Sequence, residues 1–90
     1  MRASRRTAQV KRDVKRAEKQ GRDISFLKTV IYRLCRGEIL EPHFQDHELK
    51  GKWEGMRECH LLPNWLLVYE QHEDEIILRR LGTHTELFKK

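Results

Sequence analysis

The stretch WLLVYEQHEDEIILRRL, residues 65 to 81, decides the fold. Two runs rich in β-branched, aromatic and aliphatic side chains, Trp65 to Glu70 and Glu75 to Leu81, flank a polar turn from Gln71 to Asp74. Such a pair reads as an antiparallel hairpin, because those residue types pack well on a pleated surface and the polar break lets the chain reverse. His72 lies in that turn and reads as solvated. Upstream, Pro63 and Asn64 punctuate the connection to a further strand expected over about Lys52 to Cys59.

Ahead of the strands the apolar period changes from two to about 3.6. From about Thr7 to Gln20, Val10, Val14 and Ala17 recur at i, i+4 and i+7, with Thr7 as N-cap and Gly21 as stop. A second helix runs from an Asp23 cap to about Arg36, with Leu27, Val30, Ile31, Leu34 and Cys35 at i, i+3, i+4, i+7 and i+8 and Gly37 ending it. Gly21 and Arg22 leave only a short connection, so the two helices form a hairpin. Met1 to Thr7 is short and basic and fits either an edge strand or a frayed end. Glu38 to Gly51 reads as a longer loop and Gly82 to Lys90 as a tail. Two helices followed by an antiparallel meander make an α+β domain, the helices covering one sheet face and leaving the other for a ligand.

Ninety residues suit one domain, 1–90, that buries about 60 to 65% of its unfolded surface. The formal charge of +5 favours a polyanionic partner, nucleic acid ahead of an anionic membrane surface, because cations that neutralise phosphates release counterions. Helix residues Lys11, Arg12, Lys15, Arg16 and Lys19, set against Asp13 and Glu18, suit collective steering better than single contacts. No apolar run approaches the roughly 20 residues that span a bilayer, and the basic start leads into a polar helix, so a cytoplasmic protein without a membrane partner is expected. Cys35 and Cys59 form no CxxC pair and read as reduced packing residues. The spacing of His43 and His47 would suit two metal ligands on one helical face, but Pro42 and the lack of a further ligand constellation weigh against it, and no metal is expected.

On a strand, Met56, Glu58 and His60 share one side while Arg57 and Cys59 share the other. Glu58 can therefore sit beside His60, where a carboxylate orients an imidazole and favours its protonated form. RNA carries its own nucleophile, the ribose 2′-hydroxyl. Cleavage then needs a base, an acid for the departing 5′-oxygen and cations for the crowded phosphorane, with no cofactor. The histidines, Glu58, Arg79 and Arg80 are sufficient in kind. Phe88 alone reads as core, although an aromatic platform also stacks on an unpaired base. Trp53 and Trp65 read as packing.

The segments DHELKGKWEG (46–55), RECH (57–60), PNWLLVYE (63–70) and LGTHTELF (81–88) resemble the RelE superfamily of toxins from bacterial toxin–antitoxin pairs, and most closely its YafQ branch. The resemblance implies a β-α-α-β-β-β fold, which makes Met1 to Thr7 a strand. It implies an mRNA interferase that enters the A site of the 70S ribosome and cuts the codon there by 2′-hydroxyl attack, together with a cognate antitoxin protein. Carried onto matching positions, His47, His60 and His84 become the proton-transfer and phosphate-binding candidates, with Glu58 as the acidic partner and His84 as leading acid or base. Phe88 becomes the candidate base-stacking or tail-positioning group, and Arg80 on the phosphate, with Lys50 and Lys52, completes the set of RNA-binding candidates. Asn64 stands where this branch commonly has an aspartate, and an amide cannot serve as a general base. The competing readings are a gyrase inhibitor like the ParE relatives, which lack this histidine set, and a nucleic-acid-binding module without catalysis.

Overall fold

The computed structural model describes residues 1–88, and places three helices on a five-stranded sheet in the order β1-β5-β4-β3-β2. The strands are β1 (Ala3–Arg6), β2 (His47–Glu48), β3 (Arg57–Leu62), β4 (Trp65–Gln71) and β5 (Glu75–Gly82), and the helices are α1 (Ala8–Lys19), α2 (Ile24–Cys35) and α3 (His84–Phe88). β2 to β5 pair antiparallel, whereas β1 lies parallel to β5. The α1–α2 crossover intervenes between β1 and the meander, so the amino-terminal strand returns on the far side of β5.

The helix boundaries follow their caps. The Thr7 hydroxyl accepts from the Val10 N–H at 3.1 Å and donates to the Leu78 carbonyl at 2.9 Å, so one side chain both starts α1 and fastens it to β5. Asp23 accepts from the Phe26 N–H at 3.1 Å to open α2. Gly21 and Gly37, each at φ +78°, supply the left-handed residues that end the two helices. Leu27, Val30, Leu34 and Cys35 of α2, with Val10 and Ala17 of α1, pack on Cys59, Leu61, Leu67, Tyr69, Leu78 and Leu81 of the sheet. A smaller cluster forms on the opposite face, where Leu66, Val68 and Leu87 are joined by Leu49, Trp53, Met56 and Phe88.

Three expectations change. The strand expected over Lys52 to Cys59 begins only at Arg57, because Gly51 and Gly55 adopt φ +70° and +93° and Gly51–Trp53 turns as a short 3-10 helix. The loop from Glu38 to Gly51 contains β2, two residues that pair with β3 and put His47 opposite Glu58. The tail is partly ordered structure: Gly82 closes β5 and α3 follows, while Lys89 and Lys90 lie outside the described residues. Both cysteines are buried and free, and burial pushes their thiols up. Among the described residues no helix is long and apolar enough to cross a membrane.

Candidate active site

Strand alternation builds one end of the site. Glu58 and His60 lie two residues apart on β3 and point away from the helical hairpin, while the intervening Cys59 packs into the main core. From β2, His47 brings its Nε2 to 3.0 Å from Glu58 Oε1; the His60 Nε2 lies 3.4 Å from the same oxygen. The Glu58 side chain is only 5% exposed, so the two imidazoles cover a carboxylate that would be costly to bury unpaired. The His47 Nδ1 lies 3.0 Å from the Glu48 carbonyl. Both of its ring nitrogens thus face acceptors, and the ring satisfies both only with a proton on each nitrogen.

Asp46 holds this arrangement from below. Its Oδ1 accepts from the buried Tyr69 hydroxyl at 2.7 Å and from Arg57 Nε at 3.3 Å, which tethers the chain one residue before His47. Burial, followed by the hydrogen bond to Asp46, pushes the Tyr69 phenol well above its ordinary range, so it remains a donor.

The other end comes from the β5–α3 turn. Thr83 and Glu86 form a reciprocal capping box, the Thr83 N–H donating to Glu86 Oε1 at 2.8 Å and the Glu86 N–H to the Thr83 hydroxyl at 3.1 Å. That fixes the first turn of α3, whose His84 N–H donates to Asn64 Oδ1 at 3.1 Å. The Asn64 amide thus acts on the backbone that carries His84. The His84 ring comes within 5.7 Å of the His60 ring and 5.8 Å of Phe88, centroid to centroid, and Phe88 meets Trp53 edge-on at 5.3 Å. The result is a continuous row running His47, Glu58, His60, His84, Phe88, Trp53. Trp53, read from sequence as packing alone, is a wall of the site.

β5 and α3 approach closely at Gly82: a Cβ there would meet the side-chain ends Glu86 Oε1 at 2.8 Å, Arg16 Nη2 at 2.9 Å and Leu87 Cδ2 at 3.1 Å, which would have to shift. The two lysines of the candidate set, Lys50 and Lys52, are exposed beside Trp53, and among the described residues neither enters an ion pair. Arg80 occupies the same cross-strand row as Val68, Glu58 and His47. Two strand spacings put its backbone about 9.6 Å from that of Glu58. Its side chain is committed to Asp13 of α1 through Nε at 2.9 Å and Nη2 at 3.4 Å.

His43 and His47 do not share a helical face: His43 lies tilted against Phe44, ring centroids 4.3 Å apart, in a 3-10 turn, whereas His47 belongs to the sheet. His47, Glu58 and His60 instead form a group whose donor atoms all lie within 4.8 Å of one another.

A family model described as "Bacterial toxin of type II toxin-antitoxin system, YafQ" matches residues 2–89. The chain belongs to the YafQ family. It is 35% identical to the mRNA interferase toxin YafQ of Escherichia coli strain K12 over 83 residues, 91% of this chain and 90% of that one. A copper-bound mutant toxin from Helicobacter pylori superposes with a TM-score of 0.93 at 45% identity, covering 98% of this chain and 100% of that chain. The YafQ chain of the Escherichia coli DinJ-YafQ toxin–antitoxin complex superposes with a TM-score of 0.89 at 34% identity, with 97% of each chain covered. The YafQ fold and the toxin–antitoxin assignment expected from the sequence motifs are thereby established. An endoribonuclease, the class expected from the histidine set, is also the activity for which the Escherichia coli K12 relative is named.

Proposed function

We propose that this YafQ-family toxin cleaves mRNA in the ribosomal A site by attack of the ribose 2′-hydroxyl on the adjacent phosphate. The observation that carries the reading is the facing pair His60 and His84, 5.7 Å apart and backed by Glu58 on one side and Phe88 on the other. With Nε2 of His60 turned to Glu58, its Nδ1 is left to accept the 2′-hydroxyl proton. Glu58 orients the ring and stabilises the imidazolium that forms, as a carboxylate does for a catalytic histidine in other hydrolytic sites. The O2′–P bond forms as the P–O5′ bond breaks, and His84 delivers a proton to the departing 5′-oxygen. The products are a 2′,3′-cyclic phosphate and a 5′-hydroxyl end. His47, Arg80, Lys50 and Lys52 supply positive charge for the phosphorane, and Phe88 with Trp53 offers an aromatic surface for a base of the cut codon.

A cognate antitoxin restrains the activity, as the pairing of DinJ with YafQ in Escherichia coli suggests. The experiment that tests the reading is 5′-end mapping of an mRNA on programmed 70S ribosomes beside the same mRNA naked. Cuts confined to A-site codons are expected. Equal cutting of naked RNA would remove the ribosome from the reaction. Intact RNA in both, with growth still arrested, would move the assignment to a gyrase inhibitor.

The donor set of His47, Glu58 and His60, two imidazole nitrogens and one carboxylate oxygen, also fits zinc or copper. A metal held there would occupy the groups needed for proton transfer. Cleavage is therefore expected to fall at least about tenfold when zinc or copper saturates the site, and to return on chelation, since general acid–base groups contribute at least that much. Cleavage rates across a metal titration check this, and a rate that rises with metal would contradict the assigned proton-transfer roles.

A further inference from the structure

Asp13 takes no part in the chemistry above, yet its carboxylate is 0% exposed and fully engaged. Oδ2 accepts from Arg80 Nε and from the Leu81 N–H, both at 2.9 Å. Oδ1 accepts from Gln9 at 3.2 Å and Arg80 Nη2 at 3.4 Å, and lies 3.2 Å from Arg16 Nη2 in an ion pair. Burial alone would raise this carboxyl, but the hydrogen bonds from Arg80, Leu81 and Gln9, with the charge of Arg80, outweigh it and hold it below its ordinary value.

The topology explains why a polar residue is needed there. β1 ends at Arg6 opposite Leu78, so beyond that point the outer edge of β5 has no strand beside it. Side chains of α1 take the strand's place: Asp13 receives the Leu81 N–H and Arg16 Nη2 donates to the Leu81 carbonyl at 3.0 Å. A neutral acceptor would satisfy one N–H. A buried charge that grips a guanidinium through two nitrogens does something more specific, because such geometry fixes the orientation of the fork.

We infer that Asp13 is a positioning residue for Arg80: by holding its Nε and Nη2 it presents the remaining nitrogen, Nη1, to the scissile phosphate. Arg16 extends the brace, since its Nε lies 3.4 Å from Glu86 Oε2 and Gln20 donates to the same oxygen at 3.2 Å, so α1 fixes both Arg80 and the turn that carries His84. The inference rests on the phosphate role assigned to Arg80 above.

A double-mutant cycle tests it, with single-turnover cleavage on programmed ribosomes and thermal stability measured for each protein. Arg80→Ala is expected to slow cleavage about 100-fold, the scale for loss of one transition-state donor. Asp13→Asn, which misplaces that donor, is expected to slow it at least about tenfold. In the Arg80→Ala background Asp13→Asn should cost nothing further in rate, although its stability loss remains. Equal rate losses with and without Arg80 would overturn the inference and leave Asp13 a structural residue. A normal rate for Arg80→Ala would overturn the phosphate role itself, and the inference with it. Should Asp13→Asn fail to fold, Arg80→Lys decides: it keeps the charge but cannot both bind Asp13 as a fork and offer a third nitrogen, so it should cleave nearly as slowly as Arg80→Ala. Wild-type cleavage by Arg80→Lys would overturn the inference.

Discussion

His60→Ala is expected to slow mRNA cleavage by about 10² to 10⁴-fold in a protein that remains folded. The ring sits on the sheet face opposite the main core, so its removal opens no cavity beneath the helical hairpin. Glu58 keeps its 3.0 Å contact with His47 and is not left as an unpaired buried charge. His84→Ala should lose rate on a similar scale, and its fold should persist because the backbone N–H keeps the Asn64 acceptor. If the two histidines act as base and acid of one displacement, the double variant should be little slower than the worse single one. Single-turnover rates beside thermal melts check this, and cleavage within threefold of wild type by both single variants would remove these residues from the chemistry.

The largest stability loss is expected from Trp65→Ala, about 3 to 5 kcal/mol. Trp65 is 1% exposed at the start of β4, packs with the core of the helical hairpin, and carries the Arg22 guanidinium 5.3 Å above its ring. Alanine would leave a large cavity between a helix connection and a strand end, and the surrounding backbone is held by β3 and β5 pairing on both sides of β4. A domain of this size is stable by roughly 5 to 13 kcal/mol, so the loss is a large share of the total. Urea titration should show a lower midpoint with an unchanged slope, the sign of lost stability without a change in compactness. A loss below about 1 kcal/mol would mean that the site collapses around the missing ring.

What could be read in advance was local. The apolar residues of α2 at helical spacing, with Asp23 before them and Gly37 after, fixed that helix to within a residue, and the β4–β5 hairpin followed from its composition and polar turn. Glu58 and His60 could be paired because strand alternation is itself local. β2 is two residues long and offers no period at all, so the His47–Glu58 contact had to come from the paired sheet. β1 is exposed along its whole length and is a strand because β5 lies beside it, which only the family resemblance anticipated. The α3 capping box was open to inspection in Thr83-His84-Thr85-Glu86, a Thr-x-x-Glu signature that would have placed His84 on a helix start. Asp13 gave no such sign: among the charges of α1 it resembles another solvated residue, and its partners lie 67 and 68 positions away.

The alternation of β3 has a genetic consequence. Cys59 and Leu61 belong to the main core, while His60 belongs to the opposite face. Under the roles proposed for His60 and His84, a lineage that gains from silencing this toxin would have short routes to do so, since one codon change at 60 or 84 would disarm the protein without dismantling it. The silenced gene would still direct a folded chain, and one reverse change would restore the weapon. Inactivation through the core at Trp65 offers no comparable state in which an unused copy can wait.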